Sequence, residues 1–261
     1  YLGDQISTHW NAPTDKVVVL QTGIDLRLVD EAPSTEEVRE RLGIPQDAVV
    51  VGAISVFRPV KRIPDLIEAV GRVAKKHPKI YLLLVGNPLG VSPEALRSQA
   101  DACGLEGRFN LLGRVEKPAW TLPAFDIFVN CSVFEGTSNA IIEAMAARIP
   151  VVATAVGGTP ELVEQDLHGL LVPPKAVAQL AQAIERLADD PQLRQTMGEA
   201  GRVKVQAKHT HAAMVAAYHD LYLRCAAQAE LRPAGLQKTA HLMKTLSASA
   251  MELSGAWRNI A

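Results

Sequence analysis

Two glutamates with seven residues between them carry the most chemistry in this sequence. They are Glu135 and Glu143, in the stretch FEGTSNAIIEAMAARIPV at residues 134–151. The first lies on a loop, small polar residues follow that can start a helix, and the second lies on that otherwise apolar helix. Ser138 or Asn139 can cap the helix, and its first amides would receive phosphate oxygens. Ile141, Met145 and Ile149 form one apolar row and Ile142 with Ala146 an adjacent one, so most of the helix faces a core. Glu143 shares its row with Asn139 and Ala147. It lies one turn in, roughly 6 Å along the axis at 1.5 Å per residue, where a carboxylate repels phosphate but accepts hydrogen bonds from neutral hydroxyls such as those of a ribose. Glu135 would then lie beyond the phosphates, where a sugar would sit. The alternative is that Glu143 is stabilised by the positive helix end and Glu135 is an exposed loop charge; spacing alone leaves both open.

Two further loops carry candidates. FRPVKR (57–62) places Arg58 and Lys61 at a helix entrance, where two cations beside free backbone donors suit a diphosphate; it could equally be a solvated basic loop. GNPLG (86–90) and GRV (113–115) offer Gly86, Asn87, Arg114 and Val115, whose backbone could approach a nucleobase and ribose closely. Ordinary turn chemistry also explains these two segments.

The elements that position these loops are short apolar runs alternating with helical patterns. The runs are 17–20, 49–56, 80–85, 109–112, 126–130, 150–154 and 169–172. Near-continuous apolar strands separated by helices indicate an α/β fold with a doubly wound parallel sheet, Rossmann-like, whose ligands bind beyond the carboxyl ends of the strands. Ile63, Leu66, Ile67, Val70 and Val73 repeat at helical spacing behind Pro64, and Leu96, Ala100 and Cys103 do so on the next helix. Beyond residue 174 the pattern to about 228 is all helix, a helical C-terminal cap. The expected organisation is a leading segment over 1–28, a Rossmann-like domain over 29–228, and a helical tail over 229–261.

Composition limits the function. The chain has 261 residues, 48% hydrophobic and 21% charged, enough for a sizeable core. Its formal charge of −1 gives no reason to expect nucleic acid as a partner. The three cysteines, Cys103, Cys131 and Cys225, are far apart, with no paired-cysteine or histidine cluster at metal-ligand spacing, which fits a reducing compartment and no structural zinc. No apolar run approaches the roughly 20 residues of a membrane span, and the first residues lack a signal-peptide pattern. The expected location is cytoplasmic, compatible with peripheral attachment at the inner face of a membrane.

At this point the sequence resembles a known family. Glu135 and Glu143, followed by AMAARIPVVAT and AVGGTPELVEQDLHGLLVPP, resemble the E-x7-E region of the retaining glycosyltransferases of the GT-B fold, specifically family four. The likeness extends through RPVKRIPDLIEAV, LLLVG, LLGRV and HAAMVAAYHDLY, roughly residues 12 to 225. It implies that the chain is the donor-binding half of such an enzyme, binding a UDP- or GDP-linked sugar without a metal or other cofactor. Glu143 would hold the ribose, Glu135 the donor sugar, and Lys61 with Arg58 the departing diphosphate. The amides of Gly136, Thr137, Ser138, Asn139 and Ala140 would assist, while Gly86, Asn87, Arg114 and Val115 complete the donor site. Charge developing on the leaving group is what such fixed groups stabilise.

Three departures from the family pattern stand out. Val56 occupies the usual arginine position, five residues before the lysine, and Arg58 lies only three before it. Arg148 replaces the glycine that usually ends the E-x7-E helix. A GT-B enzyme also has a second α/β domain holding the acceptor, a glycan or lipid; VVVLQTGIDL (17–26) resembles the exit from that domain, which would be supplied in cis or as a separate chain. A nucleotide-sugar-binding subunit or sensor without activity is the alternative function.

Overall fold

Six of the apolar runs become strands, because segments buried on both faces have no polar side to present. In the computed structural model, which describes residues 12–230, they are β1 (Val49–Ile54), β2 (Ile80–Val85), β3 (Phe109–Leu111), β4 (Ile127–Asn130), β5 (Val151–Thr154) and β6 (Gly169–Val172). All pair in parallel in the order β3-β2-β1-β4-β5-β6. The sheet is thus the expected doubly wound one. Its order reverses between β1 and β4, and the crevice at the carboxyl ends of those two strands is where such a sheet receives a ligand.

The seventh run, 17–20, does not form a strand. Val18 and Val19 are 46% and 53% exposed. A strand needs a hydrogen-bonded neighbour to be stable, and among the described residues none pairs with this segment.

Helices cover both faces. After a single helical turn at Arg27–Asp30, α1 (Thr35–Leu42) opens with a reciprocal Ser34–Glu37 capping box and stops at Gly43 in the left-handed region. Next, α2 (Ile63–Ala74) buries the row Ile63, Leu66, Ile67, Val70 and Val73 as expected. Ser92 caps α3 (Pro93–Ala102), which buries Leu96 and Ala100. There follow α4 (Asn139–Ala146), the single turn α5 (Thr159–Leu162), α6 (Val177–Asp189), α7 (Pro191–Lys208) and α8 (His211–Glu230). The residues of α2, α3 and α6 fill one buried cluster and those of α1 and α4 the other.

Met214 begins a second unit that runs to Ala261, of which the described part is α8 as far as Glu230. The expected helical pattern over 214–223 is present in it. The tail proposed for 229–261 lies, beyond Glu230, outside the described residues, as do residues 1–11 of the 1–28 segment. Among the described residues no helix is long and apolar enough to cross a membrane.

The element that matters most for the site, α4, is fixed from its C-terminal end. Ile141, Ile142, Met145 and Ala146 are buried, each large one worth roughly 1.5–3 kcal/mol. From α7, the buried Arg202 donates to the Ala146 carbonyl at 2.8 Å and pairs with Asp30 at 2.9 Å. A cation there complements the negative helix end. Arg148 adopts the left-handed conformation (φ 59°) in place of a glycine, and Ile149 N–H donates back to Ala144 O at 3.0 Å.

Candidate functional site

Where β4 ends at Asn130, the chain turns toward the loop that follows β1. Val133 N–H donates to Val60 O at 2.9 Å. The Cys131 thiol donates to the carbonyls of Lys61 at 3.2 Å and Arg62 at 3.4 Å. Burial pushes that thiol up to about 12, so it remains a protonated donor at neutral pH. These bonds seat the 3-10 turn Pro59–Lys61 against the β4 loop and bring Lys61 Nζ to 2.5 Å from Glu135 Oε1.

Glu135 is not an exposed loop charge; it is 8% exposed. The same Oε1 accepts from Ser132 Oγ at 2.7 Å and Asn130 Nδ2 at 3.1 Å. Burial alone would raise its pKa, but Lys61, Ser132 and Asn130 together outweigh that effect and hold it below the usual carboxylate range. It therefore stays an acceptor. Its backbone is clamped by the loop after β5: a Cβ on Gly157, which lies at φ 56°, would fall 1.7 Å from the Glu135 carbonyl oxygen. Gly158 N–H donates to Gly136 O at 3.1 Å.

Ser138 occupies the N-cap position of α4 but makes no capping bond. This corrects the expectation that Ser138 or Asn139 caps the helix. Its hydroxyl is instead within 3.3 Å of Asn130 Nδ2. The first backbone bond into the helix is Ile142 N–H to Ser138 O at 3.3 Å, so the amides of Asn139, Ala140 and Ile141 keep no partner among the described residues. One turn further in, Glu143 is half-buried on the row opposite the apolar ones. Burial raises its pKa, and among the described residues its carboxylate has no hydrogen bond. A charge stabilised by the helix dipole would show the opposite shift.

Of the three basic residues in FRPVKR, Lys61 is held by Glu135 and Arg62 is bidentate to Asp65 at 2.7 and 2.9 Å. Arg58 is exposed and its side chain makes no bond among the described residues. The loops after β1, β2 and β3 are zipped together: Phe57 N–H to Asn87 O and Leu89 N–H to Phe57 O at 2.9 Å, and Gly86 N–H to Gly113 O at 2.8 Å. Arg58, Gly86, Asn87, Arg114 and Val115 thus share one edge of the sheet. Asn87 and Arg114 are exposed, while Val115 packs partly on the core. Gly86 (φ 142°) is required by packing, since a Cβ there would lie 1.7 Å from Ser55 O.

The crevice between β1 and β4 is lined by Ile54, Ser55, Lys61, Asn130 and Ser132, among others. Asn130, Ser132 and Cys131 were not singled out by sequence, although a polar residue ending an otherwise apolar strand, IFVN, marks Asn130. Away from the crevice, His77, Glu185 and Asp189 present donor atoms within 4.8 Å of one another, the one grouping among the described residues close enough for a metal ion. Lys76 already holds Glu185 there at 2.7 Å.

A parallel sheet of this order, with its crevice at the switch point, is a doubly wound α/β fold that takes a ligand there. The model of the family Glycosyl transferases group 1 matches residues 34–204. The chain belongs to that family and corresponds to the C-terminal half of its GT-B members. D-inositol 3-phosphate glycosyltransferase of Kribbella flavida is 31% identical over 207 residues, 75% of this chain and 48% of that protein. The chain spans about half the length of the curated relatives it matches. Among solved structures, Anabaena Alr3699/HepE in complex with UDP is 26% identical with a TM-score of 0.76, over 83% of this chain and 60% of that one. The C-terminal domain of the Francisella tularensis group 1 protein LpcC is 25% identical with a TM-score of 0.63, over 72% of this chain and all of that one. The family and the relatives named here are transferases, which does not favour a non-catalytic module.

Proposed function

We propose that this chain is the donor-binding half of a retaining glycosyltransferase, taking a sugar from a nucleotide sugar and passing it to a glycan or lipid acceptor. One observation carries the reading: at the switch between β1 and β4, a buried, ionised Glu135 held by Lys61 adjoins a helix whose first amides and whose Glu143 have no partner among the described residues. Each of these groups matches one part of a nucleotide sugar. The amides of residues 136–140 and Lys61, with Arg58, take the diphosphate; Glu143 accepts from the ribose hydroxyls; Glu135 accepts from the donor sugar. Gly86, Asn87, Arg114 and Val115 border the space for base and ribose. HepE has been solved with UDP and with UDP-glucose, which makes UDP the first nucleotide to try and GDP the second.

In the reaction, the bond between the anomeric carbon and the diphosphate breaks, and negative charge grows on the leaving oxygens. Lys61, Arg58 and the α4 amides are aimed at that charge and stabilise it more as it develops. Fixed cations and amides supply what a metal would supply elsewhere, so the mechanism requires none. The leaving phosphate, on the face of the sugar that the acceptor approaches, takes the acceptor proton, which gives retention. The acceptor must be held by a second domain, in cis or on a separate chain, and this chain alone should transfer poorly.

The test is calorimetric titration of the chain with UDP, GDP and ADP, then with the glucose conjugate of whichever binds, repeated on Glu143→Ala. Binding that weakens at least tenfold in the variant supports the reading. Binding of none of them, or identical binding in the variant, overturns it.

A further inference from the structure

Among the described residues, Asn130 is the side chain that bonds to both Glu135 and Ser138, the two halves of the candidate site. Its Nδ2 donates to Glu135 Oε1 at 3.1 Å and to Ser138 Oγ at 3.3 Å, while its Oδ1 accepts Ser132 N–H at 3.2 Å. Thr154 Oγ1 holds its carbonyl at 3.4 Å. The residue is anchored at the end of β4, so both donated bonds start from a rigid strand.

The bond to Ser138 explains the open helix end. Elsewhere in the chain, serine or aspartate at the same position accepts the amide three residues on: Ser34 from Glu37 at 3.2 Å, Ser92 from Ala95 at 3.2 Å, and Asp190 from Leu193 at 2.8 Å. Ser138 would accept Ile141 N–H in that geometry, and a hydroxyl there would fill the space that a phosphate oxygen needs. With its hydroxyl turned to Asn130, the amide remains open.

We infer that Asn130 is a positioning residue with two tasks: it orients the Glu135 carboxylate and, by engaging Ser138 Oγ, it keeps the first amides of α4 uncapped for the ligand's phosphate. The second task gives Asn130 an effect on phosphate binding without touching phosphate. The ligand part of this inference rests on the donor-site reading above; the capping part does not.

The experiment compares the full chain with Asn130→Ala, Ser138→Ala and the double variant. Backbone amide exchange at Ile141 is followed by NMR without ligand, and UDP, UMP and UDP-glucose are then titrated. A released Ser138 caps the helix, so Ile141 exchange should slow about fivefold in Asn130→Ala, the ratio expected for a cap worth about 1 kcal/mol. It should return to the parent rate in the double variant. UDP affinity should fall about fivefold in Asn130→Ala and recover in the double variant. Preference for UDP-glucose over UDP should remain reduced in both, because Glu135 has lost one of the three donors that orient it. Asn130→Leu keeps a comparable side-chain volume and can neither donate nor accept, so it repeats the exchange test if the alanine variant misfolds. Unchanged Ile141 exchange in both Asn130 variants, or UDP affinity that the double variant does not recover, would overturn the inference. Should the parent chain bind no nucleotide, the donor-site reading fails, and the exchange result still decides the role of Asn130.

Discussion

Two polar clusters lie at opposite ends of the same two strands, β1 and β4, and they are built on opposite principles. At the amino ends, Arg39 of α1 is buried and every guanidinium nitrogen is used. Nε and Nη2 donate to Ala124 O at 3.2 and 3.0 Å, Nη1 to Gln46 O at 2.8 Å and Ala48 O at 3.1 Å, and Nη2 also to Asp126 at 2.8 Å. Asp126 in turn accepts Val50 N–H at 2.7 Å. At the carboxyl ends, Lys61 and Glu135 are satisfied by each other, yet among the described residues Glu143, Arg58 and three helix amides are left over. A saturated cluster can only support the fold. An unsaturated one costs stability and has valences for something else, which is the general trade between stability and function.

The largest expected effect breaks the saturated side. Arg39→Ala should destabilise the chain by about 3 kcal/mol in urea unfolding, because four acceptors lose a buried cation. Nucleotide affinity per folded molecule should not change. If Arg39→Ala weakened nucleotide binding as much as it weakens folding, the two ends would not be separable as argued.

On the unsaturated side, Lys61→Ala should weaken UDP about thirtyfold, near 2 kcal/mol for a charge-assisted contact, and UMP much less. Equal losses for the two nucleotides would remove Lys61 from the diphosphate. Glu135→Ala should spare UDP and erode the preference for UDP-glucose.

Glu143→Gln sharpens the comparison further, since removing an unpartnered half-buried charge should stabilise the chain by roughly 0.5–1 kcal/mol at pH 7 while weakening nucleotide binding. The sign follows from linkage. The folded-state pKa of Glu143 is raised, so between the ordinary value of 4.5 and its higher folded value the folded chain holds a proton that the unfolded chain has released. Stability therefore falls as pH rises through that interval. The advantage of the glutamine variant should open above pH 4.5 and close below it. Glu135 works the other way, since its lowered pKa contributes stability above 4.5 that is lost as pH falls through the folded value. Urea midpoints for Glu143→Gln and Glu135→Gln across pH 3–8 should thus diverge in opposite directions; parallel curves would contradict the assignment.

The doubly wound sheet was legible because β1, β2, β4 and β5 are continuous apolar runs that only burial on both faces explains, and α2 shows its apolar row plainly. The segment 17–20 misled for the same reason: apolarity marks a strand's preference and says nothing of its partner. Glu135 and Glu143 were legible from spacing, but their environments were not. Spacing could not show that Glu135 would be buried beside Lys61, 74 positions earlier, or that Asn130 would divert Ser138 from its expected cap. Gly86 was legible as room for a ligand or as a turn residue, and the contact with Ser55 that demands a glycine there was not visible in sequence.

The smallest effect concerns the far end of α4, where the departure at Arg148 was visible in sequence and its geometry matches. Holding a non-glycine residue at φ 59° costs roughly 1–2 kcal/mol. Glycine would remove that cost but give back about 0.5–1 kcal/mol through the greater freedom of the unfolded chain. The Arg148–Glu199 ion pair at 3.1 Å has both side chains about half exposed and contributes little. The balance favours Arg148→Gly by about 0.5 kcal/mol, a rise of 1–2 °C in Tm for a chain of this size. Because that end of α4 is already closed by Arg202 and the Ile149 bond, the gain should come without any change in nucleotide affinity. A change in affinity would mean that the two ends of α4 are coupled, and that the closed end helps set the open one.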